Sequence, residues 1–369
     1  MVNSDKRIMI IVAASNMVLS FRSDLIKKFQ SEGYSVAVVA FDNLYEDKIE
    51  SLGVKFYCAF DNNRNTSPLK ILSLKKKYVE IIKDFNPEIV FTFMLKPNTF
   101  GTVAAKEAGV KKVFSMVEGA GDVFIKTGFK WKIIRKVVCH LYKKAFKISK
   151  KVFFLNNDDK NEFINRKIVS KEKCEIVHGI GVNLDKFDYK PVTNTNTFLM
   201  VARMLKTKGV IEYCKCARLV KEKHSEAVFN YLGQEGDITL SDIQEYIDDG
   251  SINYLGAVSD VRPYLEQTTV MILPSYREGF PMSIMEAQAV GRAIITHNVT
   301  GCKETVKDGY NGFLVEKGDY VAMVEKAIWC LENADKTREM CQNARAFAEQ
   351  NFDQVLINKY IFDLVQREN

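Results

Sequence analysis

The sequence predicts an α/β protein made of two parallel-sheet domains, and three observations carry that expectation. Short apolar runs alternate with amphipathic stretches from the first residues onward, the rhythm of successive βαβ units. A polar, turn-rich stretch at 188–197 interrupts the alternation, which restarts at Phe198. The 369 residues are enough for two domains of ordinary size, each with its own core.

The composition is that of a globular chain, with 47% hydrophobic and 27% charged residues. No apolar run approaches the ~18–20 residues of a membrane span. Residues 8–14, after Lys6-Arg7, have the look of a signal peptide, but Ser15-Asn16 interrupts the run and a buried strand is the better reading. The cysteines at 58, 139, 174, 214, 216, 302, 330 and 341 contain no Cys-x-x-Cys. Cys214-Lys215-Cys216, with His224 downstream, lacks a second pair at zinc-ligand spacing. Free thiols in a reducing cytosol are expected. The net charge of +7 fits an anionic partner such as a membrane surface.

In the first half, strands are predicted at 8–14, 34–40, 89–93, 113–117 and 152–155, with helices at 25–32 and 102–108 among them. Ligands of parallel sheets bind beyond the carboxyl ends of the strands, so the loops after Ala14, Phe93 and Val117 are of interest. The first, 15–22, ends in Arg22 and by its residues fits an ordinary strand-to-helix connection with a solvated arginine. In the second, 94–101, Pro97 and Gly101 are turn residues, and Lys96 and Asn98 fit a surface position and a helix cap. The third, Glu118-Gly119-Ala120-Gly121, sets a carboxylate beside two glycines that allow close backbone approach, although alone it reads first as a turn.

Between Val123 and Asn157 lie ten Lys or Arg and no Asp or Glu. Ile133, Ile134, Val137, Val138, Leu141, Tyr142 and Ala145 recur there at helical spacing. The cations from Lys126 to Lys151 thus form either a solvated basic face or one that meets an anionic membrane surface. Their density without a single acid favours the membrane. No nucleic-acid partner is expected, since no recognised motif is present and the aromatics fall at core spacing. Asn156-Asn157-Asp158 starts a helix. Asp158-Asp159 and Asp248-Asp249 have no third ligand nearby, so no metal site is predicted. The half closes on a strand and a glycine-rich turn, 176–183, containing Gly181.

In the second half, strands are predicted at 198–202, 229–233, 253–258, 270–273, 293–296 and 313–315, and helices at 211–220, 337–349 and 356–366. Arg203 and Lys208 stand between a strand end and a helix start, a plausible cradle for a diphosphate, though each alone is only surface charge. At 274–291 a strand stops at Pro274-Ser275, a loop is shaped by Gly279 and Pro281, and a helix from 284 to 290 ends at Gly291. Glu278 and Glu286, eight residues apart, suit a ligand rich in hydroxyls and carrying phosphates. Ser283-Ile284-Met285-Glu286 also matches a capping box, in which Glu286 would merely satisfy backbone N–H groups.

The stretch from Glu278 to Glu286, with its Glu-Gly-Phe-Pro signature, resembles the Glu-x7-Glu motif of the family 4 glycosyltransferases, and the likeness runs nearly end to end. The resemblance implies the GT-B architecture, two Rossmann-like domains facing across a cleft. An acceptor domain would span 1–187, a linker 188–197, a nucleotide-sugar domain 198–350, and a final helix, 351–369, would cross back to the first domain. It implies that Glu278 faces the donor sugar, Glu286 holds the ribose, and Gly279, Phe280 and Pro281 line the donor. Arg203 and Lys208, in Arg-x4-Lys-Gly, would hold the diphosphate, Val258 the nucleobase, and Gly181 would sit at the donor-side turn.

Lys-Pro-Asn-x-x-Gly and Val-Glu-Gly-x-Gly resemble bacterial transferases that extend polyprenyl-diphosphate-linked sugars in N-glycan, O-antigen or capsule assembly, those adding N-acetylgalactosamine in particular. Arg22, Lys96, Asn98 and Glu118 then belong to the acceptor side, with Glu118 orienting the acceptor hydroxyl or serving as its base. The first loop departs from many relatives in lacking their glycine pair. The implied activity is retaining, metal-independent transfer of a hexose or N-acetylhexosamine from a UDP-sugar, without a cofactor, at the inner face of the cytoplasmic membrane. A different GT-B enzyme, such as a UDP-sugar 2-epimerase, conflicts with Glu-Gly-Phe-Pro and Glu-x7-Glu. A non-catalytic scaffold conflicts with the intact Arg203, Lys208, Glu278 and Glu286.

Overall fold

A computed structural model describes residues 6–60 and 68–368. The chain divides into two units, one of residues 1–180 with 355–369 and the other of residues 181–354.

In the first unit, β1 (Arg7–Ile11), β2 (Ser35–Ala40), β3 (Lys55–Cys58), β4 (Ile89–Phe93), β5 (Lys112–Val117), β6 (Lys151–Phe154) and β7 (Cys174–Ile176) form one sheet, in the order β3-β2-β1-β4-β5-β6-β7. Every pairing is parallel, with Met9 set between Ala37 and Val90. Helices cover such a sheet on both faces, which is why its central strands read as unbroken apolar runs; β4 is buried at all five residues. The strand β3 escapes sequence reading because it is short and only Phe56 in it is buried.

Two expected loops are helical. Residues 15–22 form the helix Asn16–Phe21, which passes through Arg22 into Ser23–Ser31. The carbonyls of Ala14 and Ser15 accept the Met17 and Val18 N–H groups, and Val18 is buried. Residues 94–101 coil into one wide turn, Pro97–Gly101, that runs on into the helix Thr102–Glu107.

The second unit has β8 (Thr197–Val201), β9 (Val228–Leu232), β10 (Asn253–Tyr254), β11 (Val270–Leu273), β12 (Ala293–His297) and β13 (Gly312–Val315), in the parallel order β10-β9-β8-β11-β12-β13. In both sheets the strand order reverses once, between β1 and β4 and between β8 and β11. Open parallel sheets bind ligands beyond the carboxyl ends of the strands at such reversals. The segments after these four strands carry Arg22, Lys96 and Asn98 in one unit, and Arg203, Lys208 and Glu278 in the other.

The units part at 180 and 354, where the sequence reading places boundaries at 187 and 350. The reason is backbone pairing. The Val182 N–H donates to the Phe352 carbonyl at 2.8 Å, and the Gln354 N–H to the Val182 carbonyl at 3.1 Å. Residues 188–197 are likewise tied within the second unit, since the Lys190 N–H reaches the Val290 carbonyl. The last helix, Gln354–Arg367, packs Phe362 edge-on against Phe29 at 5.3 Å, in the first unit. Among the described residues no helix is long and apolar enough to cross a membrane.

Candidate active site

The second unit assembles its polar groups through close backbone approaches. Gly209, with φ of 72°, lies where a Cβ would stand 2.1 Å from the Pro274 carbonyl oxygen. The segment after β8 therefore presses against the segment after β11, and the Tyr276 N–H donates to the Thr207 carbonyl at 2.9 Å. This contact sets Lys208 against Glu278, and the two form an ion pair. Glu278 is held from its other side by an N–H bond to the Thr300 carbonyl at 2.9 Å. At Gly301 a Cβ would meet the Glu278 carbonyl oxygen at 2.4 Å, so the glycine lets this segment close over Glu278. Arg203 is exposed one residue beyond the β8 exit pair Val201-Ala202.

Gly209→Ala should therefore lose well over the ~1 kcal/mol that an incompatible backbone angle alone costs. Gly250→Ala is the control, with φ of 73° and open space around it. Equal urea midpoints for the two variants would contradict the proposed close packing.

The helix carrying Glu286 is Met282–Val290, capped by the left-handed Gly291. It begins two residues before the expected start, at Pro281, and no side chain caps it. Ser283 is thus inside the helix, Glu286 lies in the second turn, and the capping box does not form. Glu286 is half-buried. Burial pushes its carboxyl up to about 7, with Lys186 drawing it down and Asp260 adding to the rise. A carboxylate held this way, without a local structural duty, is what a ligand-binding acid looks like.

The other predicted donor-side residues divide. Phe280 is buried edge-on against Phe352 at 5.5 Å, and the Pro281 carbonyl accepts the first helical N–H groups, so both anchor the loop. Gly279 is half-buried beside Glu278, and Val258 half-buried after β10. A Cβ on Gly181 would fall 2.6 Å from the Gln354 Cα, so chain packing already demands that glycine.

In the first unit Arg22 is 3% exposed and forms an ion pair with Glu118 through Oε1. Its guanidinium stacks on the Phe93 ring at 4.1 Å. Burial pulls Arg22 down to about 9, which leaves it cationic at neutral pH. It is not the solvated arginine that the residues alone allowed. The second carboxyl oxygen of Glu118, Oε2, is buried without a hydrogen-bond partner. Arg22→Ala would strand this carboxylate, and a loss of about 3 kcal/mol in stability is expected. An unchanged urea midpoint would show that the pair contributes nothing.

Asn98 departs from expectation. It is fully buried, its side-chain carbonyl accepts from the Thr92 hydroxyl at 2.8 Å, and its amide donates to the Met116 carbonyl at 2.7 Å. Its polar atoms tie β4 to β5, so it has a structural duty that neither a helix cap nor a surface position would give it. Lys96 lies largely buried over the Phe41 ring at 5.7 Å.

Several groups that position the site carried no signal in the sequence. Asp159 accepts from the Ala120 N–H at 3.2 Å and so holds the segment after Glu118. Tyr276 donates to Glu212 at 2.5 Å, and His297 bonds the Ser275 carbonyl at 3.1 Å, fixing the segment before Glu278. Among the described residues no group of three or more His, Cys, Asp or Glu is placed to hold a metal ion.

The basic stretch forms the helix Phe129–Ile148, which buries Val138, Tyr142, Ala145 and Phe146. Ile133 and Val137, which recur with these residues at helical spacing, are exposed.

Comparison with known proteins agrees with this geometry. Residues 7–154 match the family described as Glycosyl transferase 4-like, and residues 182–347 that described as Glycosyl transferases group 1. The chain belongs to the family 4 glycosyltransferases and has their GT-B fold. It is 29% identical over 367 residues to the N,N'-diacetylbacillosaminyl-diphospho-undecaprenol alpha-1,3-N-acetylgalactosaminyltransferase of Campylobacter jejuni, covering 94% of this chain and 95% of that one. It is 28% identical over 302 residues to the UDP-Gal:alpha-D-GlcNAc-diphosphoundecaprenol alpha-1,3-galactosyltransferase of Escherichia coli, covering 77% and 75%. A glycosyltransferase structure from Rickettsia africae superposes with a TM-score of 0.80 at 22% identity over 99% of this chain and 98% of that one. Anabaena HepE in complex with UDP gives 0.81 at 18% identity over 98% and 100%.

Proposed function

We propose that the protein transfers a hexose or N-acetylhexosamine, N-acetylgalactosamine first among them, from a UDP-sugar to a saccharide linked to polyprenyl diphosphate, with retention of anomeric configuration. The observation that carries this reading is the Lys208–Glu278 ion pair beyond the strand reversal of the second unit, with Glu286 on the helix that follows Glu278 and Arg203 just past the end of β8. Its support comes also from the relative that shares nearly the full length and whose name specifies an N-acetylgalactosaminyltransferase acting on a diphospho-undecaprenol.

In this mechanism Arg203 and Lys208 receive the diphosphate and stabilise the charge that grows on it as the anomeric C–O bond breaks. Glu286 accepts hydrogen bonds from the ribose hydroxyls, and Glu278 from those of the donor sugar. The acceptor oxygen attacks the anomeric carbon on the face the nucleotide leaves, and its proton passes to the departing phosphate oxygen. Neither a metal ion nor a cofactor takes part. Glu118, whose carboxylate Arg22 holds in place, orients the acceptor hydroxyl as a hydrogen-bond acceptor. The enzyme works in the cytoplasm, against the membrane that holds its acceptor, with residues 126–151 facing the anionic leaflet.

The test is release of UDP from a panel of UDP-hexoses and UDP-N-acetylhexosamines, with and without lipid-linked acceptors. Acceptor-dependent turnover of one donor supports the reading and names the sugar. An epimerised donor formed without acceptor, or a glycosyl adduct isolated on Glu278, overturns the reaction or its mechanism respectively.

A further inference from the structure

The helix Phe129–Ile148 carries two features that the transfer reaction leaves unused. The first is an exposed apolar row. Phe129 is 80% exposed, Ile133 51% and Val137 55%. At four-residue spacing these three share one face, and that face is not the one that buries Val138, Tyr142, Ala145 and Phe146. The second is a cavity of about 410 Å³ on the flank of the same helix, lined by Lys132, Arg135, Lys136, Cys139 and Arg166. Four of its five lining residues are cations.

The charges in this cavity are not all committed. Arg135 donates through Nε and Nη2 to the carbonyls of Val123 and Lys126, which fixes its guanidinium in place. Arg166 is paired with Glu162 at 2.7 Å. Lys132 and Lys136 are exposed, and no described carboxylate lies within ion-pair distance of either. With 3.6 residues per turn, Lys132 and Lys136 fall between the apolar row and the cavity, about a quarter-turn round the helix from the row. A helix lying in a bilayer surface with the row immersed would hold this flank at the level of the lipid headgroups.

We infer that the cavity is a discrete binding site for the phosphate of an anionic phospholipid, whose acyl chains lie along Phe129, Ile133 and Val137. The inference rests on the membrane reading above and narrows it from a diffuse basic face to one site. Charge complementarity selects the occupant. Cations that need a phosphate stand beside apolar side chains that need hydrocarbon, and an anionic phospholipid supplies both in one molecule.

The experiment uses the full chain and vesicles of phosphatidylcholine with or without phosphatidylglycerol. Binding is followed by co-sedimentation, and occupancy by the alkylation rate of the half-buried Cys139, read at its own peptide by mass spectrometry. Phosphatidylglycerol vesicles should bind the protein and slow Cys139 alkylation, and phosphatidylcholine alone should do neither. Lys132→Ala with Lys136→Ala should weaken vesicle binding roughly tenfold or more. Lys143→Ala with Lys144→Ala removes the same charge from the same helix outside the cavity and should cost clearly less. Phe129→Ser with Val137→Ser should weaken binding without changing its salt dependence.

Equal losses from the two lysine pairs would reduce the site to diffuse charge and overturn the proposal. Protection of Cys139 by soluble diphosphate or by RNA, without vesicles, would also overturn it by naming a different ligand. Turnover with detergent-dispersed acceptor separates the two readings. If it persists while vesicle binding fails, only this inference falls; if it is absent while vesicle binding holds, only the proposed function falls.

Discussion

Lys208→Ala is expected to lower kcat for sugar transfer roughly 10²–10³-fold, the range for removing one preorganised contact to a developing anion. Lys208 is placed for this by Gly209 and by the Tyr276–Thr207 bond, which hold it at the end of β8 against Glu278. A structural explanation is available as well, because the lysine also neutralises Glu278. Glu278→Gln separates the two roles. If Lys208 serves only its partner, both single variants and the double variant should show the same loss. If it acts on the leaving diphosphate, Lys208→Ala should lower kcat further in the Glu278→Gln background. Arg203→Ala should fall in the same range, and because its side chain is exposed the variant should keep the wild-type urea midpoint.

Glu286 should impose opposite pH dependences on stability and on nucleotide binding. Burial raises its carboxyl from the ordinary 4.5 to about 7. Between those values the folded chain holds a proton that the unfolded chain has lost. Stability from this group therefore falls as pH rises from 4.5 to 7, and above 7 the full penalty applies, up to about 3 kcal/mol. Ribose hydroxyls donate to the ionised form, so UDP binding should tighten over the upper part of the same range. The unliganded Tm should drop between about pH 5 and pH 7 while the Kd for UDP also drops. Glu286→Gln should flatten both trends. An unaltered slope in that variant would assign the titration to another group.

Both sheets were legible from the chain because parallel strands buried on two faces must be apolar throughout. The runs at 89–93 and 270–273 reappear as β4 and β11 residue for residue. The pairing of Lys208 with Glu278 was approachable from the sequence for a different reason, since both lie close in sequence to the ends of β8 and β11. Asp159, which holds Ala120 from 39 residues away, and Thr300, which holds Glu278 from 22, left no such mark. A side chain recruited from a distant element announces nothing in its own neighbourhood.

The sequence by itself determined the alternation of strands and helices, the two-domain plan and the family, all of which follow from local patterning and short motifs. Only the tertiary structure decided which polar residues are buried and what they pair with. It placed Asn98 inside the first unit's core, buried Arg22 against Glu118, and moved Glu286 out of a capping role into the second turn of its helix. It also split one helically spaced apolar set, burying Val138, Tyr142 and Ala145 and leaving Ile133 and Val137 exposed. The physical reason is the same in each case. Periodicity says which residues share a face, but burial and pairing depend on what the rest of the chain brings against that face.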